Sequence, residues 1–167
     1  MKNYFDPKTD KKENIPKTSG NYILCLKNNS NLPTLLIKPT FKNLKALRVI
    51  YTGEGSILRD RYEQHFEQNN AGRSTIRKSL GVLLGYKQIP RDNNLNNRKT
   101  KFSDSDEQKL TDWMRENLIF FFSPSTNYNN IENKLIAYFN PPLNLKGNNN
   151  EINATFRKEL SKSRSKK

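Results

Sequence analysis

Residues 51–65, YTGEGSILRDRYEQH, join the end of an apolar strand to a helix across a glycine turn. The strand is ALRVIYTG, and it stops at Gly53. After the turn, apolar residues recur at the i, i+3, i+4 spacing that is typical of an amphipathic helix. Arg61 and His65 lie four residues apart on that helix, and therefore on one face. We expect this face to meet Tyr51, at the strand end, across the turn.

This grouping suits a phosphate. The planar guanidinium of Arg61 can hold two phosphate oxygens and stays charged, so it can stabilise a phosphoryl transition state. A histidine or a tyrosine can take a proton from an attacking water. On this segment alone a second interpretation stays open, in which His65 packs inside the domain and Arg61 forms a surface ion pair.

Outward from this segment, strand and helix patterns alternate along the chain. Further strands are predicted for NYILCLK (21–27), TLLIK (34–38), KQIP (87–90) and LIFFF (118–122). Further helices are predicted for STIRKSLGVLLG (74–85), for a segment that starts near Ser103 or Ser105, and for NIENKLIAYF (130–139). The stretch RDNNLNNRKTK (91–101) reads as an irregular loop.

Composition favours a polyanionic partner. The chain has 167 residues, with 30 Lys plus Arg against 16 Asp plus Glu and a net charge of +14. Basic residues cluster in 72–101 and 157–167, whereas 103–117 is acidic, so we expect one face to meet the polyanion. The alternative is that the lysines only keep an Asn-rich chain in solution.

The sequence also indicates a compartment. It contains no apolar run long enough to cross a bilayer and no secretion signal, so we expect a soluble cytoplasmic protein with no membrane partner. Cys25 is the only cysteine, which excludes a disulfide framework or a cysteine-based zinc site within the chain. It is predicted to be a buried strand residue.

We predict one domain over residues 19–148. Residues 1–18 and 149–167 are polar, lysine-rich and without a sustained apolar period, so partial disorder is expected there. The basic C-terminal tail could still grip a phosphate backbone.

With these segments in place, the sequence resembles the GIY-YIG nuclease family. The matching positions are Gly20-Asn21-Tyr22, Tyr51-Thr52-Gly53, Arg61, His65, Glu132 and Asn144. They spread over residues 20–147, and RSTIRKSL and FNPPLNLKGN are also similar to segments of small bacterial members. Asn21 and Thr52 stand where isoleucine is usual. Glu54 stands where lysine is common, and we expect it to face solvent.

The resemblance implies an α/β (α+β) domain with a three-stranded antiparallel sheet flanked by helices. The long segment between Tyr22 and Tyr51 predicts an extended insertion in the first hairpin, forming an arm or an extra strand. The implied activity is metal-dependent hydrolysis of double-stranded DNA, with a single Mg²⁺ or Mn²⁺ held by Glu132.

The resemblance also implies roles for the matched residues. Tyr22 or Tyr51 acts as general base or orients the water, and the sequence does not rank them. Arg61 stabilises the phosphorane, and His65 assists proton transfer or holds a tyrosine hydroxyl. Asn144 is expected to brace the site by hydrogen bonds.

DNA-backbone contacts are predicted for a set of basic residues. They are Arg59, Arg73, Arg77, Lys78, Lys99 and Lys101. Two other functions stay open, a nucleic-acid-binding protein that has lost catalysis and an RNA-directed nuclease. Recognition of a target would have to come from loops such as 90–101 or from a dimer.

Overall fold

The computed structural model describes residues 3–33, 35–93 and 99–165. In those ranges seven strands and five helices form. The strands are β1 (Asn3–Phe5), β2 (Gly20–Leu26), β3 (Asn43–Leu44), β4 (Leu47–Gly55), β5 (Ile89–Pro90), β6 (Thr100–Lys101) and β7 (Leu118–Pro124). The helices are α1 (Leu58–Phe66), α2 (Thr75–Leu83), α3 (Asp104–Asn117), α4 (Tyr128–Phe139) and α5 (Ala154–Ser165).

The main sheet has the strand order β1-β7-β2-β4-β3, and all of its pairings are antiparallel. Every residue of β2 is buried, because helices cover both faces of the sheet. Leu58, Tyr62 and Phe66 of α1 join the core on one face, and α4 packs Phe139 against Ile23 on the other. The unbroken apolar run of β2 is thus the pattern of a strand buried on both sides.

The described residues give this sheet five strands, so the prediction of three is wrong. β2, β4 and β7 form the predicted centre, and a short strand is added at each edge. β1 pairs with β7, with Asn3 opposite Phe122 and Phe5 opposite Phe120. Unpaired edge strands expose backbone donors and acceptors, and the N-terminal segment satisfies those of β7.

The insertion after β2 holds the other edge strand, but at a different place from the predicted one. Residues 35–38 of the predicted strand TLLIK are irregular, and residue 34 lies outside the described residues. β3 is only two residues long and returns into β4 through Lys45 and Ala46, which both have positive φ. A two-residue hairpin turn of this type normally uses Asn or Gly, so Lys45 and Ala46 do not indicate a turn at this place.

The described residues of both terminal segments, for which partial disorder was expected, pack against the core. Phe5 and Ile15 are fully buried, and Arg59 donates to the Ile15 carbonyl at 2.8 Å. At the other end, α5 buries Phe156 and Leu160 against the rest of the domain. The apolar residues of both segments are too sparse to show a helix or strand period in the sequence. In the structure they nevertheless pack into the core that the central sheet and helices form.

Most of the remaining predicted elements are confirmed. The strands β4 and β7 and the helices α1 to α4 form within a few residues of their predicted bounds, and Ser103 caps α3. Ile89–Pro90 pairs with Thr100–Lys101, and residues 94–98 of the predicted loop lie outside the described residues. Cys25 is buried, which raises the pKa of its thiol to about 12. In the part of the chain that is described, no helix is long and apolar enough to span a membrane.

Candidate active site

Tyr22 reaches the site by crossing the neighbouring strand at a glycine. It lies opposite Gly53 in the β2–β4 pairing. A Cβ atom at residue 53 would come within 2.2 Å of the Tyr22 Oη atom, so only glycine lets the hydroxyl pass. The side chain is fully buried. Gly53 of the Tyr51-Thr52-Gly53 motif therefore leaves the space that the side chain of Tyr22, from the Gly20-Asn21-Tyr22 motif, occupies.

A buried hydrogen-bonded chain runs from Tyr22 through His65 to Ser74. The Tyr22 Oη atom lies 2.7 Å from His65 Nε2, and His65 Nδ1 lies 2.8 Å from Ser74 Oγ. Ser74 is the N-cap of α2, and its hydroxyl also accepts from the backbone N–H of Arg77. A neutral imidazole has one donor and one acceptor nitrogen, so in one tautomer the Tyr22 hydroxyl donates to His65 Nε2 and His65 Nδ1–H donates to Ser74 Oγ.

The environment keeps both rings of this chain neutral. Burial lowers the pKa of His65 well below its ordinary value, and the positive charges of Arg61 and Arg77 lower it further. Burial likewise raises the pKa of Tyr22 well above 10.0. At neutral pH the histidine is therefore an uncharged base whose ring nitrogen is in contact with an un-ionised phenol.

This histidine makes fold stability depend on pH. Its pKa is lower in the folded than in the unfolded state, so below about 6.5 the unfolded chain binds a proton that the folded chain does not. The free energy of unfolding is therefore expected to fall as the pH drops through about 6.5 towards the folded-state pKa. Denaturant unfolding of the wild type and of His65→Gln between about pH 7.5 and 5 measures this, above the range in which ordinary carboxylates titrate.

The variant removes the only histidine of the chain, so the decline above about pH 5 should be shallower in His65→Gln than in the wild type. Parallel curves for the two proteins would contradict the assignment of a neutral, buried His65.

Arg61 forms no ion pair within the described residues, although the negative charge of Glu132 acts on it from a distance. Its stem lies against Gly55, where a Cβ atom would come within 2.4 Å of the Arg61 Cγ atom. Its Nη1 atom donates to the Gln64 side chain at 2.6 Å, whereas its buried Nε atom has no hydrogen-bond partner in the described residues. A buried donor without a partner is costly, and a phosphate oxygen would satisfy it.

A cavity of about 280 Å³ opens beside this cluster. Its lining includes Tyr51, Thr75, Glu132, Asn133, Asn144 and Lys146. Tyr51 is 8% exposed and Tyr22 is 0% exposed, with 6.2 Å between their ring centroids. Tyr51 is therefore the tyrosine that faces the cavity, and Tyr22 lies behind it.

Glu132 is half-buried on α4 and has a second carboxylate nearby. Partial burial raises its pKa, the negative charge of Glu54 raises it further, and Arg61 opposes both effects. Glu54 is itself half-buried, and the Asn129 amide, with its nitrogen turned towards that carboxylate, donates to it at 2.9 Å. The expectation that Glu54 faces solvent is therefore wrong, because its strand position places it beside α4.

The donor set at this point fits a Mg²⁺-like cation. Among the described residues no three His, Cys, Asp or Glu side chains group together as a metal site. Mg²⁺ is commonly held by one or two carboxylates, with water and substrate phosphate as its other ligands. Glu132 and the nearby Glu54 supply oxygen donors of that kind.

Asn144 completes the open edge of β4. Its side-chain Oδ1 atom accepts from the Thr52 backbone N–H at 2.9 Å, and its Nδ2 atom donates to the Thr52 carbonyl at 2.9 Å. Next to it, the Leu143 N–H donates to the Ile50 carbonyl at 3.1 Å. These contacts act as a strand partner for the residue between Tyr51 and Gly53, which is the bracing role expected of Asn144.

Asn21, the polar replacement in the first motif, positions α4. It is buried, and its amide donates to the Tyr128 carbonyl at 2.8 Å, at the first residue of the helix that carries Glu132. Its Oδ1 atom and the Thr52 Oγ1 atom have no hydrogen-bond partner in the described residues.

The predicted DNA-binding residues divide into two groups. Arg77 is wrong for this role, because it is fully buried and ion-paired with Glu107 at 2.6 Å. Arg59 is occupied by backbone carbonyls of residues 13 and 15, and Lys101 pairs with Asp104. The other three, Arg73, Lys78 and Lys99, line one cavity.

Sequence reasoning missed Ser74 and Arg164. Ser74 was visible as a helix N-cap in RSTIRKSL, but its contact with His65 depends on the packing of α2 against α1. Arg164 was counted only as part of a basic tail. Nothing in its local sequence indicated that α5 would bring it to the same cavity as Lys78.

A guanidinium with no ion pair in the described residues, a tyrosine–histidine pair and a half-buried carboxylate lie close together on an antiparallel sheet flanked by helices, and these groups suit phosphodiester chemistry. The chain belongs to the GIY-YIG nuclease family: the family model for the GIY-YIG catalytic domain matches residues 20–166. That match extends through α5, beyond the predicted domain end at residue 148. Comparison with curated proteins and with solved structures gave no significant match. Nucleases of this family act on nucleic acids and generally depend on a divalent metal ion.

Proposed function

We propose that this protein is a divalent-metal-dependent endonuclease that hydrolyses phosphodiester bonds of double-stranded DNA. The observation that carries this proposal is the cluster between β2, β4 and α1, where Arg61, with its unpartnered Nε atom, lies beside the buried Tyr22–His65 pair. A protein that only bound nucleic acid would need the cation but not a tyrosine bonded to a neutral base. That difference favours catalysis over binding alone.

Glu132, with Glu54 beside it, would hold the metal ion, and Mg²⁺ or Mn²⁺ suits these oxygen donors. The bound ion would supply Lewis-acid stabilisation of charge on the phosphate and the leaving oxygen. The raised pKa of Glu132 marks a carboxylate whose charge is only partly compensated by the protein. A cation there would relieve both its burial and its repulsion from Glu54.

Tyr22 and His65 would move the proton of the attacking water. As the water oxygen bonds to phosphorus, its proton passes to Tyr22 Oη, and the Tyr22 proton passes to His65 Nε2 across the 2.7 Å hydrogen bond. In this tautomer His65 Nδ1–H donates to Ser74 Oγ, which fixes the ring. Because Tyr22 has no exposed surface, the relay acts on a water enclosed beside it together with the phosphate.

Arg61 would bind the non-bridging oxygens of the scissile phosphate. Its buried Nε atom gains the acceptor that it lacks, and the charge of the pentacovalent phosphorane is offset beside the emerging imidazolium of His65. The bond from phosphorus to the leaving oxygen then breaks, and that oxygen takes a proton from solvent.

The assay that tests this function is incubation of supercoiled plasmid at low salt with Mg²⁺, with Mn²⁺ and with EDTA. Nicking or linearisation that requires the metal supports the proposal. A structured RNA in parallel separates the RNA-directed alternative. Tight binding with both substrates intact in every condition would favour the binding-only alternative.

The two tyrosines are expected to differ in that assay. Tyr22→Phe keeps the ring but removes the hydroxyl bonded to His65, so the cleavage rate should fall by about 10²-fold, within the usual range for a general base. The Tyr51 hydroxyl makes no hydrogen bond to His65, so the cleavage rate of Tyr51→Phe should fall by about tenfold or less. Single-turnover rates with equal protein and substrate concentrations measure both.

Circular dichroism and binding of the same plasmid in EDTA serve as controls for folding and substrate contact. A larger loss for Tyr51→Phe than for Tyr22→Phe would reverse the assignment of the base.

A further inference from the structure

A second cavity, of about 220 Å³, lies beside the first and is lined by basic side chains. We call it the basic pocket and define it by Arg73, Lys78, Lys99 and Arg164. These residues come from the turn before α2, from α2, from the approach to β6 and from α5, so four separate segments direct positive charge to one place. The other lining residues are Ala71, Gly72, Ser74, Thr75 and Thr100. No carboxylate is among the lining residues.

Two of these cations are held partly buried without a counter-ion. In the described chain, Lys78 and Arg164 form no ion pair, and the Arg164 guanidinium donates to the Ser79 hydroxyl, at 3.3 Å. Burial lowers the pKa of Lys78, and the charge of Arg164 lowers it further. Burial also lowers the pKa of Arg164. An anion bound between them would relieve their desolvation and their repulsion together.

The pocket adjoins the active site through residues that touch both. Thr75 lines the basic pocket and also the cavity that contains Tyr51 and Glu132. Ser74 lines the pocket and contacts His65. α2 begins at Thr75, so the first-turn N–H groups of a nine-residue helix add positive potential to the cations. A phosphate in this pocket would therefore lie next to the cavity that holds Tyr51 and Glu132.

We propose that the basic pocket binds the backbone phosphate next to the scissile phosphate of the nucleic-acid strand, with Arg164 and Lys78 as its main ligands. The proposal rests on the proposed function, because it takes the scissile phosphate to lie at Arg61. It also extends that function to substrate choice. A substrate must continue past the cut by at least one phosphate, and α5 is part of the binding surface.

The test measures the affinity of a short fluorescent DNA duplex at several salt concentrations in EDTA, where no cleavage occurs. Each lost phosphate contact reduces the slope of log K against log salt by about 0.9. Arg164→Gln and Lys78→Gln should each lower the slope by up to about that amount, and Arg164→Lys, which keeps the charge, should restore most of it. Thermal unfolding of each variant checks that the fold is retained.

Lys162→Gln is the matched control, because it removes the same charge from an exposed position on the same helix. It should change the slope much less than Arg164→Gln does. Equal slopes for the wild type and Arg164→Gln, or an equal drop for Lys162→Gln, would overturn the proposal. Inorganic phosphate that binds in a calorimeter without any effect of Arg164→Gln on the duplex slope would also overturn it, in favour of a free-anion site.

This experiment is independent of catalysis. Suppose that Arg164→Gln lowers the salt slope as expected but the wild-type protein cleaves no substrate. The pocket would then still bind a backbone phosphate, and the proposed nuclease function would be excluded. Metal-dependent cleavage with an unchanged slope would do the reverse.

Discussion

Glu132→Gln is expected to lower metal-dependent plasmid cleavage by about 10³-fold or more, because the several kcal/mol supplied by a Lewis acid convert to that factor. The amide keeps the size of the side chain but loses the charge that a divalent cation requires. The half-buried position on α4 leaves no neighbouring carboxylate in the described residues except Glu54 to take its place. Single-turnover cleavage over a Mg²⁺ titration measures the effect.

Two comparisons make this result specific. Glu151→Gln removes an exposed carboxylate and should cleave like the wild type. Binding of duplex DNA in EDTA by Glu132→Gln should match or exceed that of the wild type, since one negative charge near the phosphate is gone. Cleavage within tenfold of the wild-type rate at saturating Mg²⁺ would exclude Glu132 as the metal ligand.

Arg77→Ala is expected to destabilise the fold by roughly 3–5 kcal/mol, the usual effect of removing one partner from a buried ion pair. Arg77 and Glu107 are both fully buried. The guanidinium also donates to the Thr111 hydroxyl at 2.8 Å and to the His65 carbonyl at 2.9 Å, so one side chain links α2, α3 and α1. Urea unfolding measures the loss.

The reciprocal change, Glu107→Ala, should be at least as severe. It leaves the Arg77 charge unpaired and also frees the backbone N–H groups of Ala71 and Phe102, which donate to Glu107 Oε1. Glu116→Gln is the control, since it breaks an exposed pair with Lys8 and should leave the urea midpoint nearly unchanged. A small effect of Arg77→Ala would show that water or a rearranged α3 replaces the pair.

The Arg77 result would also bear on the active site. Because the Arg77 guanidinium donates to the His65 carbonyl, its loss should disturb the histidine before the whole domain unfolds. We therefore expect Arg77→Ala to lose activity at temperatures where it is still folded. That loss would be structural in origin and would not indicate contact with nucleic acid.

The sequence determined the central sheet and most of the helices, because their patterns are local. The apolar run of β2, the short link from β4 to α1 and the amphipathic helices, two of them with serine caps, each follow from residues that are close together in the chain. The same reasoning placed Tyr51, Arg61 and His65 near one another, since a strand, a tight turn and one helical face connect them. Asn144, chosen on the family pattern, lies where a brace was expected.

Only the tertiary structure decided which basic side chains are held in ion pairs inside the core and which line a pocket. Arg77 and Lys78 are neighbours in one basic segment, yet Arg77 is paired inside the core and Lys78 faces a pocket, because consecutive helical residues point in different directions. The pairing of Tyr22 with His65, the closeness of Glu54 to Glu132 and the arrival of Arg164 from the last helix all join residues far apart in sequence. Such contacts depend on how elements pack, and no local pattern encodes them.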